Sequence, residues 1–300
     1  MKKFGLLLLT LLFLLCSCDV NSGVIARIEF SGTGLTASAR HVNYDLSAVE
    51  GKEPAALPLL KNVDPKIDYA KLLAAFGMTG ADYARLSNPS GRKYKLGGKT
   101  LIVYKAGFIS FTDLSLYGKV NTMQPKQMAD AATALAAQAG LSVSDLTFAE
   151  SFDGTVVFTR TIDGTEAVGR TGMSATYNGD AVSGFSYLSS NYGDKQDVPL
   201  IGAAEAGTLL LTDKSSQSFG RETGVAVAAI TDVIVTDVEL VYWDSAYTQT
   251  QMRQTHIQPV YRFTGDCIDS LGNVSPFTGY VRAVSDNLTT DFFVDPETVQ

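Results

Sequence analysis

The sequence predicts an α+β fold with antiparallel sheets, built from repeated helix-plus-sheet units that follow a cleaved leader. Three observations predict it. Short apolar runs at helical spacing recur along the chain and end at glycine, and each is followed by strand-like runs broken at turn residues. Three turn dipeptides, Asp153-Gly154, Asp163-Gly164 and Asn178-Gly179, stand in series between such runs and predict a meander. Two helix strings, Leu73-Ala74-Ala75-Phe76-Gly77-Met78 and Leu135-Ala136-Ala137-Gln138-Ala139-Gly140-Leu141, match apart from one inserted residue. The leader is expected at residues 1–17 and the units at 18–120, 121–195 and 196–300, divided at the polar, turn-rich stretches near 118–124 and 193–199.

Lys2 and Lys3 open the leader, ahead of an uncharged, leucine-dominated run over residues 5–15. That run is about half of the ~20 residues a membrane-spanning helix needs, so cleavage is expected rather than retention. Leu15 three residues before a cysteine and Ser17 directly before it match the lipobox, with Cys16 an uncommon middle residue. Cleavage is therefore expected between Ser17 and Cys18, and Cys18 is the expected lipid attachment site. Two or three acyl chains of the palmitate class, at about 0.8 kcal/mol per buried methylene, would anchor the protein to the extracytoplasmic face of a bacterial cell membrane.

The chain carries 24 basic and 31 acidic side chains, a net charge of −7, and loss of two lysines with the leader takes it to −9. Compartment and charge together exclude nucleic acid as a partner. After processing, the cysteines are Cys18, taken by the lipid, and Cys267, so no disulfide framework is expected and Cys267 reads as an inert packed residue. Stability must come from apolar cores.

In the first unit, Asp64-Pro65 opens a helix whose apolar members are Ile67, Ala70, Leu73, Ala74 and Phe76, with Gly77 as its left-handed cap. Strands are expected near 83–86, 101–105 and 108–112, and before the helix near 24–30, 38–45 and 57–60. In the second, Pro125 suits the first turn of a helix bearing Met128, Ala131, Ala132, Leu135 and Ala139, closed by Gly140. Four strands are expected after it, near 145–152, 155–162, 166–177 and 181–190. The third begins with a short helix over Ile201, Ala204, Leu209 and Leu211, followed by long strands near 229–243, 257–265 and 277–284. Pro259 marks the middle one as an edge or a bulged strand.

The alanine-rich helix closing at Gly140, the string Phe158-Thr159-Arg160-Thr161-Ile162-Asp163-Gly164 and the hairpin at Asn178-Gly179 leading to Gly184-Phe185 resemble the repeat unit of YycH/YycI-type regulators and the related PepSY-like domains. The string from Val198-Pro199 to Glu205-Ala206 looks like the entry to another such helix, and the runs 238–243 and 257–263 resemble a strand pair of lipoproteins of that kind. The resemblance implies an extracytoplasmic module that binds a protein or peptide, with an envelope sensor system or a peptidase as what it modulates. Regulators of that type use an N-terminal membrane helix. Here a lipobox stands in its place, so regulation is expected to work through the folded domains.

Chemistry-bearing groups are sparse. The histidines are His41 and His256, neither set in a motif, and Gly172-Met173-Ser174 and Gly184-Phe185-Ser186 lack the second glycine of a nucleophile elbow. No paired-histidine or cysteine motif suggests a metal, and no catalytic residue or cofactor is assigned. Asp237 and Glu239 share one face of a strand and read as a solvated face, with Arg262 or Arg282 as cross-sheet partners. Arg92, Lys93, Lys95 and Lys99 read as a hydrated loop over residues 88–99. The long connection 244–255 carries Tyr247, Met252 and Arg253, residue types enriched at interfaces, which are the candidate partner contacts. The expected function is a non-enzymatic, membrane-anchored binding or regulatory module with an envelope protein or peptide as partner. A cell-envelope hydrolase with carboxylate catalysis and a structural assembly lipoprotein are the alternatives.

Overall fold

Local turn and cap chemistry sets where each element begins and ends, and pairing between distant segments joins all but two of the strands into one sheet. The computed structural model describes residues 25–28, 30, 42–52, 56–87, 90–169, 172–189, 191–212, 214–220, 230–244 and 255–290. In chain order the elements are β1 (Ile25–Ala26), β2 (Asn43–Asp45), β3 (Leu59–Asn62), α1 (Tyr69–Ala75), β4 (Asp82–Ser87), β5 (Ser90–Leu96), β6 (Lys99–Tyr104) and β7 (Phe108–Asp113). Next come α2 (Pro125–Gln138), β8 (Leu146–Phe152), β9 (Thr155–Ile162), β10 (Thr165–Gly169), β11 (Met173–Asn178), β12 (Ala181–Leu188) and β13 (Tyr192–Gln196). The last are α3 (Ala203–Leu210), β14 (Ser215–Phe219), β15 (Ile230–Asp244), β16 (His256–Asp269), β17 (Val274–Arg282) and β18 (Thr289–Thr290).

This arrangement corrects the expected fold class. The described residues form one large mixed sheet of 16 strands with three α-helices, rather than repeated helix-plus-sheet units. Antiparallel pairing runs β8-β9-β11-β12-β7-β6-β5-β4, so β7 and β12, from before and after α2, are neighbours. Beyond it, β10 pairs parallel with β15, and β15, β16, β17 and β14 continue antiparallel. The two similar helix strings reflect a shared ending, because both helices close in a Schellman motif. Met78 donates to the Leu73 carbonyl at 2.7 Å and Gly77 to Ala74 at 3.0 Å, while Leu141 donates to Ala136 and Gly140 to Ala137, both at 3.0 Å. Each glycine has positive φ, +60° at Gly77 and +75° at Gly140.

Helix α1 begins where the Asp68 carboxylate accepts the amides of Ala70 and Lys71 at 3.1 Å. Leu72 and the expected Phe76 are buried and the expected Ile67 and Leu73 pack half-buried against the same core, whereas the expected Ala70 and Ala74 are exposed. Helix α2 buries Met128, Ala132 and Ala136 against the same sheet face, where Leu101, Val103, Ile109, Phe111, Phe158, Phe185 and Tyr187 complete the first core. A second core forms under α3 from Ala206, Leu210, Val233, Val235, Tyr261, Phe263, Phe277 and Val281.

Two of the three predicted turns have positive φ at both central residues, Asp153-Gly154 (45°, 73°) and Asp163-Gly164 (51°, 82°). At the third only Gly179 does (68°), and a bulge at Thr176/Tyr177 adjusts the register. The expected strand over 166–177 is two strands. Gly169 (φ 103°) and Gly172 (φ 84°) interrupt it, so that β10 leaves β9 to meet β15 and β11 returns opposite Phe158. Pro259 lies in a strand flanked on both sides, contrary to an edge placement; it faces Tyr242 of β15 just beyond the last β16–β17 pair, Val260 with Arg282. Strands β5, β13, β14 and β18 were not expected.

A Cβ at Gly172 would lie 2.2 Å from the Phe158 carbonyl oxygen, whereas one at Gly164 would meet nothing within 4 Å. Both have nearly the same positive φ. Urea denaturation should therefore show Gly164→Ala losing about 1 kcal/mol from backbone conformation alone. Gly172→Ala should lose roughly 2–4 kcal/mol, because steric overlap adds to the same backbone cost. Equal losses would show that the strand break is not held by close backbone approach.

Candidate functional site

Helices α1 and α2 cover the middle of the first sheet face, and β4 and β5 extend beyond them. Strand β4 ends the sheet and pairs only with β5, without a register shift, from Asp82 opposite Lys95 to Ser87 opposite Ser90. Five of its six residues are exposed. The direction of its peptide groups follows from β5. The Lys105 amide donates to the Ser90 carbonyl at 2.9 Å, so Ser90, Arg92 and Tyr94 turn their peptide groups toward β6, while Gly91, Lys93 and Lys95 turn theirs toward β4. Leu86, Ala84 and Asp82 answer the latter. The N–H and C=O groups of Tyr83, Arg85 and Ser87 consequently point out of the sheet.

Other edges are less open to pairing. Strand β8 carries a bulge between Phe148 and Glu150, and β13 shifts register between Tyr192 and Lys195. In β14, Ser215 and Gln217 are buried, both donating to the Leu210 carbonyl.

Beside β4 lies a cleft of about 450 Å³ between the segment entering α1 and the ends of β4, β5 and β6. Asp64, Tyr69, Tyr83, Arg85, Arg92 and Lys105 are its chemistry-bearing walls. The Arg92 guanidinium sits 4.1 Å from the Tyr69 ring centroid and 5.8 Å from that of Tyr83, and Tyr83 packs on Tyr94 at 5.5 Å. A hydrogen bond to the Tyr94 side chain raises the Arg92 pKa, and burial raises that of Tyr69 against the opposing pull of Arg92. Arg85 stands directly across from Arg92 in a pair without mutual backbone hydrogen bonds, the geometry in which side chains come closest. Among the described residues neither arginine has an ion-pair partner.

The basic cluster expected on a loop is thus on strands, which send its members to different tasks. Arg92 faces the cleft, Lys93 and Lys95 alternate onto the opposite face, and Lys99 donates to the Phe76 carbonyl at 3.2 Å beyond α1. The missed signal is the period-two pattern of Arg92, Tyr94 and Leu96. Asp237 is paired with Lys52, whose hydrogen bond lowers its pKa, and Glu239 accepts from Arg262 at 2.7 and 3.0 Å. Arg282 instead meets Asp286 at 3.4 Å. Ser174 and Ser186 are regular strand residues whose hydroxyls lie 2.7 Å apart. His256 is buried, with its pKa lowered by desolvation, and Cys267 is buried. Ser17, Cys18, His41, Tyr247, Met252 and Arg253 lie outside the described residues. Among the described residues no helix is long and apolar enough to cross a membrane.

No family model matches the chain, and no curated protein matches it. Among solved structures, the Bacillus megaterium YpeB C-terminal domain is a weak structural neighbour, with 12% identity and a TM-score of 0.35 over 70% of this chain and 94% of that one. A likeness at that level assigns neither family nor function.

Like charges directly across an antiparallel pair oppose folding. Arg85→Gln is therefore expected to raise the thermal midpoint at low ionic strength, by a stability gain on the order of a few tenths of a kcal/mol. The gain should shrink in 0.5 M (about physiological strength threefold) NaCl, because surface charges are then screened. A less stable variant at low salt would show that Arg85 is not opposed by Arg92.

Proposed function

We propose that the chain is a bacterial lipoprotein, anchored through Cys18 on the extracytoplasmic face, whose folded part is a non-enzymatic binding module for an extended segment of an envelope protein or peptide. The observation that carries this reading is the edge of β4. Tyr83, Arg85 and Ser87 direct three sets of donors and acceptors outward from a strand without bulge or proline, next to a cleft able to take side chains. The two remaining parts of the reading rest on sequence. Leu15, Ser17 and Cys18 support the anchor, and the strings around Gly140, Asp163-Gly164 and Asn178-Gly179 support kinship with YycH/YycI-type and PepSY-like modules. Modulation of a sensor system or peptidase is the role such kinship would give.

Hydrogen exchange tests the site. With a β-prone peptide bound, the amides of Tyr83, Arg85 and Ser87 should gain protection while those of β8 and β13 stay unchanged. Protection confined to another edge would move the site away from β4.

Fractionation tests the anchor. Cys18→Ala should leave the membrane fraction and lose incorporation of a labelled fatty acid, with the domains still folded. A variant that stays membrane-bound without label would overturn the assignment of Cys18.

A further inference from the structure

We infer that the segment added along β4 is acidic, with a partner carboxylate seated between Arg85 and Arg92. The inference rests on the strand-addition reading and names the chemistry of its partner. Its starting point is the arginine pair itself. The two guanidinium groups lie on one sheet face in direct register, and among the described residues no carboxylate pairs with either. A bound anion turns that repulsion into attraction on both sides.

Arg92 is held for this task. One face of its guanidinium lies over Tyr69, with Tyr83 farther out. Stacking occupies the flat faces of a guanidinium and leaves its edge N–H groups for a carboxylate, which they receive in fork geometry. The sign of the local charge points the same way. A chain of net charge −7 gathers Arg85, Arg92 and Lys105 around this cleft, against Asp64. Complementarity of this kind favours an acidic partner and speeds its arrival.

Register sets the spacing. Tyr83 and Arg85 offer their peptide groups outward, and their side chains share the cleft face with Arg92 and Tyr94. An added strand continues the pleat, so every second side chain of the partner lies over that face. The recognised pattern is an acidic residue at alternate positions of an extended segment, with the intervening side chains on the far face. Lys93 and Lys95 lie on that far face and are not part of the site.

The test uses the full-length protein and three fluorescent heptapeptides read by anisotropy. One alternates valine with glutamate, one alternates valine with glutamine, and the third is the glutamate peptide N-methylated at alternate amides. The glutamate peptide should bind about tenfold tighter than the glutamine peptide, as a charge-assisted fork adds to the same strand pairing. In the Arg85→Gln/Arg92→Gln variant, with its thermal midpoint checked, that preference should fall to about twofold or less. N-methylation on the pairing edge should abolish binding to wild type. Equal binding of the glutamate and glutamine peptides, both lost on N-methylation, would overturn the acidic preference and leave the strand edge standing. Binding of none of the peptides would overturn both. If inorganic phosphate or phosphatidylglycerol vesicles displace the glutamate peptide and N-methylation has no effect, the cleft is a plain anion site and the inference fails.

Discussion

The structure depends on the place where β10 leaves its hairpin partner and lies parallel to β15. Without it, the eight antiparallel strands under α1 and α2 and the strands under α3 would be separate sheets, each closing its own core. The crossing is narrow. Ala167, Val168 and Gly169 face Tyr242, Trp243 and Asp244, and any side chain at residue 169 would approach the Asp244 carbonyl oxygen to 2.5 Å. Leu60, Ile162, Ala167, Tyr242 and Ile257 form an apolar cluster on one side of it. Arg262 clamps the other side, with Nη1 2.8 Å from Glu166 of β10 and Nη2 2.7 Å from Glu239 of β15. Its side chain is 17% exposed, so this ion pair is less screened than the surface pairs elsewhere.

A sheet joined in this way has a consequence for its free edges. The strands near the junction are covered or paired on both sides, as β16 is by β15, β17 and β3. Openness is displaced to strands with a partner on one side only, β4, β8, β13 and β14 among them. Proteins blunt such ends against unwanted pairing. Strand β8 has its bulge, and β4, regular in register, has Arg85 among its outward-pairing residues and Asp82 at its start. On the proposed reading, a charge that blocks indiscriminate pairing would also select a partner of opposite sign, so that protection and recognition would be one device at β4.

What was legible in the sequence was short-ranged. Gly77 and Gly140 marked helix ends because a Schellman cap requires positive φ, and Asp153-Gly154 and Asp163-Gly164 marked hairpins for the same reason. Strand partners were not legible, because β7 beside β12 and β10 beside β15 are chosen by side-chain packing between segments some 70 residues apart in sequence. Similar helix endings therefore looked like similar domains. Half of the site was hidden for a different reason. Asn88-Pro89-Ser90-Gly91 reads as loop and the cations after it as solvated, yet Tyr94 between Lys93 and Lys95 carries the alternation of a one-sided strand. Once that parity is known, Arg92 separates from its lysine neighbours and falls opposite Arg85.

The anchor and the edge belong to one energetic argument. Backbone hydrogen bonds exchanged with water contribute on the order of 1 kcal/mol net each. Association costs roughly 4–15 kcal/mol in lost freedom before ordering of the incoming segment is counted. The three outward residues on β4 offer at most six such bonds, about 6 kcal/mol, which offsets only the low end of that cost, so a docked strand would need the Arg85 and Arg92 charges and the tyrosine surface to stay. A partner confined to the same membrane face removes much of the remaining cost, because tethering raises its effective concentration to about the millimolar range. On the proposed anchoring, strand addition would be stronger at the membrane than the same pairing with a free peptide in solution. If Cys18 carries the proposed lipid, it would act on affinity as well as on address, because partners held at one membrane face meet at a higher effective concentration.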